Sequence, residues 1–306
     1  YIPGPWMESI QITKGTGSVL NGFESTTGQI NVEFKKPNED ETPKFFLNLF
    51  TDNFAGHEIN TFYKKQFGKW SGILMAYGRS MQKETDRNGD GFMDQPNNRQ
   101  INLYNRWQYH SGKHLESQIG IRFLSDDISG GQIENSSKPS GYPLYRTSVQ
   151  TKRAEVFVKL GFVFPEKPEK SIGNIFQFTY HDMRSAFGLK NYNADQRTFY
   201  YQSIYQNAFK KLNHSYRVGI TYRYDELNQQ FNPLPGKIVE HMPGVFGEYT
   251  YSYLDKFTVV AGMREDLRNG KESIFTPRLH AKYNFTENTI VRISGGRSYR
   301  RSFIIA

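Results

Sequence analysis

The chain has 306 residues, a formal net charge of +9, 15% aromatic residues and no cysteine. Without cysteine there is no disulfide framework, no thiolate nucleophile and no cysteine-held zinc or iron–sulfur centre, and no run of 18 apolar residues offers a helical membrane span. Lys and Arg are scattered at alternating positions and form neither a stripe nor a basic helix, which argues against nucleic acid and suits anionic ligands or lipopolysaccharide.

Glycine governs the first stretch, Glu8 to Pro37. Ile10-Gln11-Ile12-Thr13 reads as a short strand, Gly15-Thr16-Gly17 as a turn and Ser18-Val19-Leu20-Asn21-Gly22 as a tight connection. Gly28 opens a second strand in which Ile30, Val32 and Phe34 alternate with polar residues. Two short strands clasped by glycine turns need a larger host to bury them. The glycines around Gly15 do not read as a phosphate cradle, because no helix follows. No leader of a basic stretch and then an apolar one precedes them, Tyr1 begins in mid-motif, and the chain is expected to be an internal piece of something longer.

The run Ile12-Thr13-Lys14-Gly15-x-Gly17-Ser18-Val19-Leu20-Asn21-Gly22, followed by Gly28-Gln29-Ile30-Asn31-Val32 and Lys35-Lys36-Pro37, resembles the end of the plug domain in TonB-dependent outer-membrane receptors, in a variant common in Bacteroidota. The motif positions are Gly15, Gly17, Ser18, Gly22, Gly28 and Asn31. The resemblance implies a 22-stranded barrel, with the earlier plug, the TonB-contacting segment and the rest of the barrel beyond this chain.

From Lys44 the pattern is strand, turn, strand, loop with a period of two. In His214 to Asp225, Tyr216, Val218, Ile220, Tyr222 and Tyr224 share one face, and Arg217, Gly219, Thr221, Arg223 and Asp225 share the other. The same division recurs at Leu115–Phe123, Arg153–Phe162, Phe176–His181, Glu248–Tyr253 and Arg278–Phe285. A mean hydropathy of −0.69 beside 20 Tyr and 24 Phe fits a barrel whose lumen stays polar. Short links are expected near Gly68-Lys69, Ser111 to Lys113, Pro165 to Lys170, Lys210 to Asn213, Leu254 to Lys256 and Thr286 to Asn288. Long loops are expected at Gln82 to Asn98, Ser125 to Gln150, Ser185 to Gln196, Leu227 to Pro243 and Arg268 to Ser273. Tyr109, Phe164, Phe209, Tyr253 and Phe285 suit an interfacial aromatic girdle. About thirteen strands are expected, the last ending at Ser302.

Chemistry has few footholds. Asp86, Asn88 and Asp90, a glycine at position six, the Phe92 carbonyl and Asp94 match a calcium loop, although position twelve is Asn97 in place of the usual glutamate. Such an ion would stiffen a loop; no cofactor is required. His181-Asp182-Met183 and His241-Met242 fall at outer strand ends, where His181, Met183, His241 and Met242 offer soft ligands to a metal-bearing substrate such as copper or haem. No nucleophile elbow or shielded carboxylate pair marks an enzyme.

The expected fold is thus all-β: a transmembrane antiparallel up-and-down barrel, about 13 strands of 22, holding the C-terminal part of a plug (residues 1–38), with the barrel proper over 39–306. Lumen positions Glu116, Arg122, Glu155, Lys159, Arg217, Arg223, Glu248, Arg264 and Arg278 are expected to face the plug. The expected function is TonB-energised import of a ferric siderophore or other metal chelate across the bacterial outer membrane, with lipopolysaccharide around the barrel and a surface lipoprotein as a further partner. Rivals are a plugged importer of haem, cobalamin, copper or glycan, a passive porin-like barrel, an outer-membrane enzyme and a soluble β-sandwich lectin.

Overall fold

In a computed structural model, which describes residues 2–25, 28–38, 40, 42–112, 114–134, 143–209, 213–254, 256–286 and 289–299, the chain is almost entirely β-structure. An antiparallel hairpin comes first: β1 (Met7–Lys14) pairs with β2 (Gly28–Phe34), Ile12 opposite Ile30 and Lys14 opposite Gly28. Gly28 sits at φ +146°, and a Cβ there would stand 2.5 Å from the Thr13 carbonyl oxygen, so the ladder closes only with glycine at this position.

The remaining strands are β3 (Phe45–Thr51), β4 (Gly56–Phe67), β5 (Trp70–Met81), β6 (Asn97–His110), β7 (Leu115–Gly131), β8 (Arg146–Phe164), β9 (Lys167–Phe187), β10 (Lys190–Ala208), β11 (His214–Phe231), β12 (Leu234–Tyr253), β13 (Phe257–Arg268), β14 (Glu272–Asn284) and β15 (Ile290–Gly296). They form one sheet of 13 strands, each antiparallel to the next in sequence, with β3 and β15 at its edges. The expected strand number and up-and-down order are therefore observed, and the described residues leave the barrel unclosed. Ser302 lies outside the described residues.

One face of this sheet is covered by the N-terminal segment, and the other is bare. On β11 the bare face carries Val218 and Ile220, 45% and 51% exposed, while Thr221 and Asp225 on the covered face are each 4% exposed. The bare stretch from Tyr216 to Tyr224 has the length of the ~9–11 residues with which a tilted strand crosses hydrocarbon. Beyond it the register sets charged side chains in a band: Lys152 opposite Asp182, then Arg197 opposite Glu226. At the opposite rim the five expected girdle residues sit at or beside strand ends, with Phe209, Tyr253 and Phe285 54%, 51% and 63% exposed.

The N-terminal segment crosses the covered face from flank to flank: Trp6 bonds to Asn60 on β4 and Gly17 bonds to Arg278 on β14, ten strands further along the sheet.

Two expected long loops are instead mostly strand, and a third is short. Ser185 to Gln196 continues β9 and β10 around a turn between Phe187 and Lys190, Leu227 to Pro243 continues β11 and β12 around Asn232-Pro233, and Arg268 to Ser273 is a short turn. Pro165 to Lys170 is mostly strand as well, since β9 opens at Lys167. At the β9–β10 and β11–β12 tips the bare face carries polar side chains such as Asp182, Asp195, Glu226 and Asn228, so the apolar side of the alternation vanishes while the ladder persists. Of the expected turns, Lys113, residues 210–212, Asp255 and residues 287–288 lie outside the described residues, as do residues 135–142 of the Ser125 to Gln150 loop.

Candidate functional site

The site is the contact between the N-terminal segment and the covered face, and the segment is pinned at two apolar points. Trp6, fully buried, packs with Phe62, Ile73, Met75 and Tyr104 and with the partly buried Phe34. Its indole Nε1 donates to Asn60 Oδ1 at 3.0 Å, giving the buried polar edge a partner. At the other end Phe23 packs with Met242 and Ile274.

Between these anchors the chain turns through a single 3-10 turn, Val19–Asn21. Ser18 caps it: its Oγ accepts the Leu20 N–H at 3.2 Å and also donates to the Glu248 carboxylate. Val19 is fully buried and fills the space at Gly262, where a Cβ would stand 2.7 Å from its methyl group. A larger residue on either side would clash.

Two arginines hold the backbone of this turn. Arg278, 3% exposed, donates from Nη1 to the Gly17 and Ser18 carbonyls, both at 2.8 Å, and from Nη2 to Gly22 at 2.8 Å and Phe23 at 3.4 Å. Ser18 and Phe23 also accept the Asn21 and Tyr299 N–H groups, and the guanidinium gives the Gly17 and Gly22 carbonyls donors in a buried setting. Arg264 forks onto Asp266 with two 2.6 Å bonds, reaches Thr221 at 2.8 Å and donates to the Val19 carbonyl at 3.4 Å. Asp266 is fully buried, so the pair is mutually required. Gln202 Nε2 donates to the Leu20 carbonyl at 3.1 Å, and Arg223 stands 3.6 Å from Glu24 and 2.7 Å from Asp225.

The hairpin itself meets the sheet more loosely. Asn31, Glu33 and Phe34 face Arg122, Glu155 and Lys159 across a cavity of about 490 Å³, with Arg122 3.5 Å from Glu155. A second cavity, about 400 Å³, lies beside Leu20 to Glu24, against Tyr200, Arg223 and Arg264.

Of the nine expected lumen positions, Glu248, Arg264, Arg278 and Arg223 touch the segment, and Arg122, Glu155 and Lys159 face it. Arg217 acts through Glu248, 3.6 Å away. Glu116 corrects the expectation: it shares the face but sits at the short-turn rim, 3.2 Å from the His110 ring, with its side chain 64% exposed. The motif residues Gly15, Gly17, Ser18, Gly22, Gly28 and Asn31 lie in the turn and hairpin so described. Trp6, Asn60, Gln202, Thr221 and Asp266 complete the contact with no sequence signal beyond the inward parity of those on the strands.

The soft ligands do not converge. His181 and Met183 share the covered face of β9, but His241 is on the bare face, 2.9 Å from the Tyr222 hydroxyl, and Met242 is buried against Phe23. Neighbours in a strand point to opposite faces, which separates His241 from Met242. In the 86–94 loop the carboxylates bind backbone: Asp86 accepts from Gly89 at 2.7 Å and from Gly91 at 2.9 Å, Asp90 from Phe92 at 2.8 Å and Asp94 from Arg87 at 3.0 Å. Among the described residues no three acidic or histidine side chains gather at one point.

The profile of a family described as TonB dependent receptor-like, beta-barrel matches residues 17–304. A comparison with curated proteins finds no match. Among solved structures, the ferripyoverdine receptor of the outer membrane of Pseudomonas aeruginosa bound to ferripyoverdine aligns with TM-score 0.73 at 13% identity, over 94% of this chain and 46% of that one. The alcaligin outer-membrane receptor of Bordetella pertussis aligns with TM-score 0.70 at 11% identity, over 95% and 49%. The ferric enterobactin receptor of Pseudomonas aeruginosa, as a double mutant, aligns with TM-score 0.72 at 11% identity, over 98% and 50%. This chain thus spans about half the length of the solved structures it resembles.

Proposed function

Since the chain belongs to the TonB-dependent receptor β-barrel family, whose members are bacterial outer-membrane receptors and transporters, we propose that residues 1–38 are the end of a plug and 39–306 the first part of the barrel of an active importer. Its cargo is a ferric siderophore or another metal chelate, and energy reaches it through TonB.

The observation that carries this reading is the clamp on residues 17–24. A wide barrel must be stoppered to keep its barrier. Here the carbonyls of a turn are held by Arg278, Arg264 and Gln202 through bonds that can break and re-form, with no covalent step. Pulling on the hairpin would load this clamp, and its release would open a path beside the wall, an order change driven by work from outside. A passive porin has no use for such a clamp. The lumen arginines favour an anionic chelate less than their number suggests, because Arg217, Arg223 and Arg264 already have carboxylate partners.

The sequence has no cysteine of its own, and the Val19 Cβ lies 3.4 Å from where a Cβ on Gly262 would stand, close to disulfide geometry. Val19→Cys with Gly262→Cys, placed in the full-length protein, should block uptake of radiolabelled iron chelate when oxidised and restore it when reduced. Wild-type uptake by the oxidised, cross-linked protein would overturn the moving-stopper reading. Growth of a deletion strain on ferric chelates, haem, cobalamin, copper or glycan would assign the cargo.

A further inference from the structure

Above the clamp the two faces of β8 to β12 exchange character. Within the membrane band the bare face is apolar, as at Val218 and Ile220, and the clamp side carries the charges, as at Arg217 and Arg223. Past Asp225 and Glu240 the order is reversed. One rung of the bare face reads Lys152, Asp182, Asp195, Asn228 and Lys237, and the next holds Arg184 and Gln230. On the clamp side, Phe231 stands about 20 Å along β11 from Asp225. Its rung across β7 to β12 reads Ile128, Val149, Ser185, Tyr192, Phe231 and Leu234, with no charged member.

The charges just beneath that rung are already occupied. The rung that contributes Met183 and Ala194 also holds Asp126, which is 3% exposed and accepts from Asn98 Nδ2 at 2.9 Å. One rung lower, Arg153 donates to Glu155 at 2.8 Å. The Tyr192 hydroxyl donates to Gln229 Oε1 at 3.2 Å, so the polar end of that ring is satisfied within the wall. Leu234 is 63% exposed. The N-terminal segment is seated lower, against Arg223 and Met242, one rung below Asp225 and Glu240.

We propose that the cargo is a metal chelate with an uncharged, largely apolar exterior, and that this wall selects it over strongly anionic chelates of the same metal. The inference rests on the import reading for there being a cargo; the wall supplies its class. Side chains that turn their charges out to water and their apolar groups in toward the mouth have no ion to offer an anion. An anionic chelate pressed against them loses hydration and gains no partner. An uncharged one gives up less water and gains apolar burial.

The test is equilibrium binding of radiolabelled iron complexes to the full-length protein in nanodiscs, with empty nanodiscs as the blank. A ferric tris-hydroxamate without net charge should bind at least about tenfold tighter than a ferric tris-catecholate, which is strongly anionic. Leu234→Lys, at an exposed position on the wall, should shrink that ratio about fivefold by attracting the catecholate. Gln230→Lys sets the same charge on the bare face one residue away along β11 from the rung, and should leave the ratio as in wild type. Heat-modifiable electrophoretic mobility reports folding of each variant. Equal or tighter binding of the catecholate by the wild type overturns the proposal, as does binding of neither complex, or a ratio that both lysines lower alike. Because binding is read and not uptake, any of these results leaves the moving stopper standing, which the Val19→Cys and Gly262→Cys pair tests by itself.

Discussion

Replacing Arg278 by methionine keeps an unbranched apolar stem and removes the guanidinium donors to the Gly17, Ser18, Gly22 and Phe23 carbonyls, of which Ser18 and Phe23 keep backbone donors in Asn21 and Tyr299. A hydrogen bond to a charged donor nets ~1.5–3 kcal/mol, so the three contacts at 2.8 Å alone amount to ~4.5 kcal/mol at the low end. Water from the adjacent cavity of about 400 Å³ re-solvates part of the exposed backbone, which brings the expected loss to ~3 kcal/mol. At 1.4 kcal/mol per decade that raises the released fraction of the turn ~100-fold. Val19 is fully buried, so a Val19→Cys reporter reacts with a membrane-impermeant maleimide only when the turn lets go, and its labelling rate tracks that fraction. Arg278→Met should accelerate labelling ~100-fold, and Arg278→Lys, which keeps the charge and loses the fork, should fall between. Labelling within twofold of the parent, in a barrel that still shows heat-modifiable mobility, would refute the clamp.

Two further outcomes follow from the same contacts. Trp6→Phe keeps the ring stack but strands the buried Asn60 Oδ1, so thermal unfolding should show a loss of ~1–3 kcal/mol, and Trp6→Phe with Asn60→Leu should recover part of it. On the outer hairpin, beyond the membrane band, bonds from Lys237 and Tyr224 hold the Glu226 carboxyl down at about 2. A depressed carboxylate contributes stability above its unfolded pKa and loses it as pH falls through the folded value. Protection against amide exchange at the β11–β12 tip, taken relative to the intrinsic rate at each pH, should therefore hold constant from neutral pH to about 4 and fall only toward 2, and Glu226→Gln should remove that step.

The architecture was legible because every strand pairs with its sequence neighbour: a period of two fixes the faces and the order fixes the sheet. Arg264, Arg278 and Glu248 were legible as inward charges on apolar strands. Glu116 has the same parity and failed because parity gives the face and not the height, which depends on where the N-terminal segment ends. His241 and Met242 were separable by parity alone, and treating them as a pair overlooked it. Trp6 gave no signal of depth, since an aromatic after Pro-Gly-Pro fits a surface turn equally well. The 86–94 spacing serves nested backbone turns as well as a cation, because both need short acceptor side chains around glycines.

The unequal strand lengths shape how a cargo would be met. β8 to β12 run 18 to 21 residues, whereas β3 to β5 have 7 to 12, so this part of the mouth has a high parapet on one flank and a low sill on the other. A parapet of fully paired strands is stiff and costs little ordering to present a surface. On the proposed import reading, bulky cargo slides in over the sill and comes to rest against a backstop already in shape.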